Sequence, residues 1–148
     1  MTNTGNLSIT ITVDQTPAAV FAAITNVRGW WSERLEGSSA KVGDVFRYRH
    51  GELHDCTQRV TEAVPGKKVE WLVTDACLSF TKDKHEWKDT RVTFDIAGKP
   101  GATELRFTHI GVTPESECFE KCSKGWGYFI GQSLKNLIVT GVGLPDRE

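Results

Sequence analysis

The residues of this chain best equipped for chemistry are spaced among aromatic rings. In Val45 to His50, a two-residue period puts Phe46, Tyr48 and His50 on one face and Arg47 and Arg49 on the other. Thr103 to Ile110 repeats the pattern, with Leu105, Phe107 and His109 opposite Glu104, Arg106 and Thr108. Farther on, a helical stripe holds Phe119, Cys122, Trp126, Ile130, Ser133 and Leu137, with Phe129 and Leu134 on its flanks. A histidine on such a face can hold a structural hydrogen bond, touch a ligand, or move a proton. Those uses stay open for His50 and His109, because spacing assigns neither a carboxylate partner. Tyr48 reads as an amphipathic wall residue. Gln58, Cys122 and Ser133 also belong to inward faces, and each needs a partner from backbone, water or a polar ligand.

Other chemistries lack a pattern. There is no G-x-S-x-G elbow, no phosphate-binding loop and no dinucleotide fingerprint. His54 and Cys56 share a face on a strand, but Gly51 suggests a turn that separates them from His50. Cys118 and Cys122 sit one helical turn apart, with no second pair to complete a metal site. No metal and no cofactor is therefore expected. Cys122 is expected as a packed thiol, and the four cysteines as reduced thiols.

The elements that position these residues are legible from period and punctuation. Leu7, Ile9, Ile11 and Val13 alternate with hydroxyl residues, as in a half-buried antiparallel strand. Thr16-Pro17 is a helix start, and Val20, Phe21 and Ile24 follow at helical spacing to about Asn26. A second short helical stretch is expected around Trp30 and Trp31. Strands follow at Val45 to His50, at Cys56 to Val64, and through Val69, Trp71 and Val73, with a turn at Pro65-Gly66. Residues 75 to 88 read as a hairpin connection or loop with one irregular strand. Two more strands bring in Val92, Phe94 and Ile96, then Leu105, Phe107 and His109. A long helix is expected from Thr113 to about Thr140, stopped by Gly141. Gly125, Gly127 and Gly131 lie within it, marking either close approach of a neighbour, room for a ligand, or tolerated weakness.

The order is strand, two short helices, about six to seven strands, long helix. The architecture predicted is α+β: a curved antiparallel sheet wrapped around one C-terminal helix, with a cavity between them. Several stretches resemble the START-like (SRPBCC) superfamily, whose fold is this helix-grip. Thr16 to Ile24 with Gly29-Trp30-Trp31, and Gly43 to Phe46, resemble its opening. Val64 to Trp71, Thr103 to Val112, and Gly125-Trp126 with Phe129, Ser133, Leu134 and Leu137 are similar to the branch named after the C-terminal domain of the heat-shock-protein-90 ATPase activator. The match runs from Ile9 to Gly141. The superfamily includes lipid and hormone carriers, aromatic polyketide cyclases and chaperone-associated domains.

Size and composition agree with one domain over residues 1–148, at 39% hydrophobic and 25% charged. A net charge of -1 gives no pull toward nucleic acid or anionic lipid. Lys82, Lys84 and Lys88 alternate with acids and read as a solvated loop. No segment has the apolar length of a membrane span, and no signal peptide is read at the N-terminus, so the expected location is cytoplasmic.

The leading functional expectation is binding of a small apolar or aromatic molecule. Its cavity-lining set is Trp31, Phe46, Tyr48, His50, Trp71, Phe94, Phe107, His109, Cys122, Trp126, Phe129, Ile130 and Ser133, with Trp30 and Trp87 near the mouth. A stress- or chaperone-related interaction module is the alternative. A further one is a cyclase- or hydrolase-type enzyme on a small aromatic substrate, with His50, His109 or Tyr48 as acid or base. The sequence does not choose between monomer and homodimer.

Overall fold

The structure, a computed structural model, describes residues 6–50, 54–79, 82 and 84–145. The first strand, β1 (Leu7–Val13), buries Leu7, Ile11 and Val13 and exposes its hydroxyl residues. The Thr16 hydroxyl accepts the Ala19 N–H at 3.1 Å and so caps α1 (Pro17–Thr25), which buries Val20, Ala23 and Ile24. A short 3-10 turn, Val27–Gly29, then delivers Trp30 and Trp31 to the core.

Six further strands follow: β2 (Glu36–Gly37), β3 (Val45–His50), β4 (His54–Val64), β5 (Lys68–Leu78), β6 (Arg91–Lys99) and β7 (Ala102–Ile110). With β1 they form one curved antiparallel sheet of seven strands in the order β1-β7-β6-β5-β4-β3-β2. β5 runs well past Val73, into the region read from sequence as irregular. The cause is a bulge: Gln58 pairs with Val73 but Thr57 pairs with Asp75, leaving Thr74 extra. The buried set therefore changes parity, from Val69, Trp71 and Val73 to Ala76 and Leu78. A second bulge leaves Thr61 extra in β4. Each bulged threonine donates its hydroxyl to a carbonyl of the partner strand, Thr74 to Thr57 at 3.3 Å and Thr61 to Glu70 at 3.2 Å.

The C-terminal helix is continuous for 22 residues, in three parts: α2 (Phe119–Tyr128), a π-helical turn (Phe129–Leu134) and α3 (Lys135–Thr140). It starts later than the Thr113-Pro114 signal implies. Residues 114–118 are turns and a bend, and the Glu86 carboxylate accepts the N–H groups of Glu117 and Cys118 at 2.8 and 3.1 Å. That acid does the capping from outside the helix. The buried residues Cys122, Trp126, Ile130, Leu134 and Ile138 recur every four. An α-helix turns once per 3.6 residues, so such a repeat slides round it, and the wider π turn brings the stripe back. This is why Leu134 and Ile138 are buried while Leu137 is only partly so. Gly141, at φ 86°, ends the helix in the left-handed conformation.

No helix among the described residues is long and apolar enough to cross a membrane.

Candidate functional site

The helix and the concave face of the sheet meet through rings. Phe107 of β7 packs on Trp126 of α2 at 4.7 Å between centroids, and Phe94 of β6 packs on Phe107 at 5.4 Å. Trp71 of β5 lies parallel to Trp31 at 5.8 Å and meets Phe46 and Phe94 edge-on. Trp31 stacks in turn on Tyr48 at 4.4 Å and tilts against Trp126 at 5.1 Å. These rings belong to one hydrophobic cluster. They fill the middle of the helix–sheet interface, where a void of several hundred Å³ would have been the simplest basis for a ligand cavity.

Space opens instead at one end of the cluster, in a pocket of about 70 Å³. Its walls are Trp31, Tyr48 of β3, His54 of β4, Trp87, the α2 residues Lys121, Cys122, Gly125 and Trp126, and Phe129 of the π turn. A dry cavity of about 150 Å³ accepts benzene. A ring would thus enter this pocket by one edge and leave the rest at the mouth.

Of the cavity set read from sequence, Trp31, Tyr48, Cys122, Trp126 and Phe129 line this pocket. Phe46, Trp71, Phe94, Phe107, His109, Ile130 and Ser133 are buried behind it and do not line it. The backbone of His50 pairs with His54, and its side chain lies outside the described residues. Trp87 is in the wall, whereas Trp30 is fully buried. His54 and Lys121 were outside that set, and Gly125 was read only as one of three helix glycines that could leave room for a ligand. His54 had a signal in its period: it shares the inward parity of Cys56, Gln58 and Val60 once β4 is extended by two residues. Nothing but place marks Lys121.

The polar groups behind the walls are fixed. Trp126 Nε1 donates to His109 Nδ1 at 3.1 Å. Nδ1 is then an acceptor, and the imidazole proton sits on Nε2, which donates to Thr90 Oγ1 at 2.8 Å. The Thr90 hydroxyl donates onward to the Trp87 carbonyl at 2.5 Å. Burial, with a smaller contribution from His54, pushes His109 down to about 3, so it stays neutral. Both ring nitrogens are committed, and His109 acts as a positioning residue for two pocket walls. Ser133 donates to the Trp30 carbonyl at 2.6 Å and accepts the Leu144 N–H at 2.8 Å, which ties the helix to the loop after it and to the tryptophan pair.

Trp87 and Trp126 stack at 5.8 Å with planes 9° apart. Trp87 also donates its Nε1–H to the sulfurs of Cys118 and Cys122, at 3.3 Å each. These two cysteines are joined as a disulfide, unlike the reduced thiols expected from sequence. One helical turn at the start of α2 brings their Cα atoms to 5.5 Å, within the range a bridge spans. Cys56 and Cys77 are free thiols, and burial pushes that of Cys56 well above the usual range. No group of three histidine, cysteine or acidic residues among the described residues is placed to hold a metal ion.

A larger hollow of about 340 Å³ lies elsewhere, along β4 and β5, between Arg47, Asp55, Thr57, Asp75, Cys77 and His85. An ion pair, Arg47 to Asp55 at 2.6 Å, lines it. It has no stacked rings, and Arg47, Asp55, Asp75 and His85 in its walls are engaged with one another or with the Ala76 backbone. The smaller pocket is the better candidate for a specific ligand.

Residues 14–138 match the family described as Activator of Hsp90 ATPase homolog 1-like protein. The chain belongs to that family. The solution structure of the Aha1 dimer from Colwellia psychrerythraea is similar at 24% identity over 93% of this chain and 98% of that one, with a TM-score of 0.71. DynU16, a putative protein in the dynemicin biosynthetic locus, is 17% identical over 94% of this chain but only 49% of its own, with a TM-score of 0.66. CalU16 from Micromonospora echinospora is 14% identical over 90% of this chain and 74% of that one, with a TM-score of 0.64. At these identities the solved relatives show a common fold. No curated protein matches the chain. The START-like, activator-type architecture read from the sequence is thus the observed one.

Proposed function

We propose that the chain acts as one START-like domain that binds a small planar aromatic molecule in the pocket between Trp31, Tyr48, Trp87, Trp126 and Phe129. One observation carries this reading: two of the rings that wall the pocket, Trp87 and Trp126, are held from behind through His109, Thr90 and the Cys118–Cys122 pair, so those two walls are set before a ligand arrives. Stacked and edge-on contacts with such walls favour a flat ligand. A thermal-shift comparison of naphthalene-sized planar carboxylates with their saturated, non-planar analogues tests this. The planar compounds should stabilise more, and Gly125→Leu should remove the difference. Equal, negligible shifts for both would reject the reading.

A second reading, a protein-interaction module, is favoured by the exposed apolar residues Tyr128, Val139, Val142 and Leu144 around α3. The Colwellia relative is a dimer, and a homodimer through this region is the form that reading takes. Light scattering of Val139→Glu against the parent chain tests it: loss of a dimer supports it, and a monomeric parent rejects that form. The enzymatic reading has less support, since His109 has no free ring nitrogen to take a substrate proton.

A further inference from the structure

Cys122 is a wall of the aromatic pocket and one half of a bonded pair. The other half, Cys118, is fully buried, and Cys122 is 6% exposed. A reagent can therefore reach the pair only at Cys122, from the pocket side. The Trp87 N–H is shared between the two sulfurs, at 3.3 Å from each. Trp87 is the adjoining wall, stacked on Trp126. Its segment is otherwise held to the start of α2 through Glu86, which caps Glu117 and Cys118. The state of one S–S bond is thus coupled to the placement of a pocket wall.

We propose that Cys118 and Cys122 are a redox-active pair, reducible by small dithiols, and that their oxidation state sets the shape of the aromatic pocket. The proposal rests on that pocket being a binding site. In the reduction, a thiolate of the dithiol attacks Cys122 Sγ. The electron pair of the S–S bond leaves with Cys118, which stands at the N-cap of the ten-residue α2 and accepts the Trp87 N–H. Solvent protonates that thiolate. The second thiolate of the reagent then attacks its own sulfur bound to Cys122. It closes a cyclic disulfide and frees Cys122, which is protonated in turn. Two electrons and two protons pass from reagent to protein.

Reduced sulfurs cannot stay at bonding distance and must separate to van der Waals contact. The surroundings of Cys118 are closed, so Cys122 moves toward the pocket. The Trp87 N–H can then follow only one sulfur. Reduction narrows the pocket and disturbs the Trp87–Trp126 stack, weakening the binding of an aromatic ligand by about three- to tenfold. By linkage, a ligand in the pocket shields Cys122 and slows reduction.

Anilinonaphthalene sulfonate, an aromatic anion with its own fluorescence, serves as the probe. Its affinity is measured on the whole chain, air-oxidised and dithiothreitol-reduced, with the redox state read by alkylation in denaturant and mass. Oxidised protein should take two labels, on Cys56 and Cys77, and reduced protein four. The expected result is a Kd about three- to tenfold weaker after reduction, with no redox response in Cys118→Ala/Cys122→Ala and slower reduction at saturating probe. Four labels in the air-oxidised chain would overturn the proposal. So would equal affinity in two forms whose labels differ, leaving the pocket itself intact. A probe that binds neither form would remove the pocket reading, and the proposal with it.

Discussion

The indole N–H of Trp126 donates to Nδ1 of His109 at 3.1 Å, and this bond decides what the histidine can do. An acceptor at Nδ1 forces the proton onto Nε2, where Thr90 takes it. A second proton on the ring would point at an N–H donor inside a closed core. The helix, the last strand and the Trp87 segment are held together through one neutral imidazole.

Stability should therefore fall with acid in a window set by His109. Its folded pKa, about 3, lies below the 6.5 of an ordinary histidine. Above the higher value both states are neutral and the group contributes no pH dependence. Between the two values the unfolded chain binds the proton and the folded one does not. Stability then drops as pH falls, by up to about 1.4 kcal/mol per pH unit. His109→Asn should flatten this part of the curve. Urea unfolding of both proteins from pH 7 to 4 checks it; parallel curves would contradict it.

Ser133 serves packing and not a ligand. Ser133→Ala leaves the Trp30 carbonyl and the Leu144 N–H without this partner. A loss of about 1–3 kcal/mol is expected in urea unfolding, with naphthalene carboxylate binding unchanged in the folded protein.

The free cysteines should separate cleanly. Cys77 is exposed and Cys56 is fully packed, its thiol held protonated by burial. A thiol-specific chromophoric disulfide at pH 8 should label Cys77 in the native, oxidised chain and reach Cys56 only on unfolding. Cys77→Ser should abolish the fast phase.

The Arg47–Asp55 ion pair, although short, is worth little. Arg47 lowers the Asp55 pKa through a hydrogen bond and its charge, so the pair's contribution is present above the ordinary carboxylate pKa and fades as acid protonates Asp55. Both side chains are more than a third exposed, and Arg47→Met should leave the urea-unfolding midpoint close to that of the parent chain.

Much of this arrangement is legible in the sequence, for identifiable reasons. Leu7 to Val13, Val69 to Val73 and Leu105 to His109 alternate because each has one wet face and one packed face. Thr16-Pro17 and Gly141 mark helix ends through local chemistry alone. What the sequence hides depends on partners distant in the chain. The Thr74 bulge appears only when β4 lies beside β5, so the parity of Ala76 and Leu78 reads as irregular. The start of the long helix is set by Glu86, some thirty residues away. The ring faces were legible, but whether they left a void was not: that depends on how Trp31, Trp71 and Phe46 interlock in three dimensions.

Gly125 offers the sharpest test of the aromatic pocket as a binding site. It lines the pocket, and a Cβ there would meet nothing within 4 Å. Gly125→Leu removes a helix-weakening glycine, a gain of up to about 1 kcal/mol, while its side chain takes up space a ligand needs. The variant should be at least as stable as the parent, with naphthalene carboxylate affinity by calorimetry lowered about tenfold or more. A stable Gly125→Leu chain that binds as tightly as the parent would place any ligand elsewhere and rule out this pocket as the site.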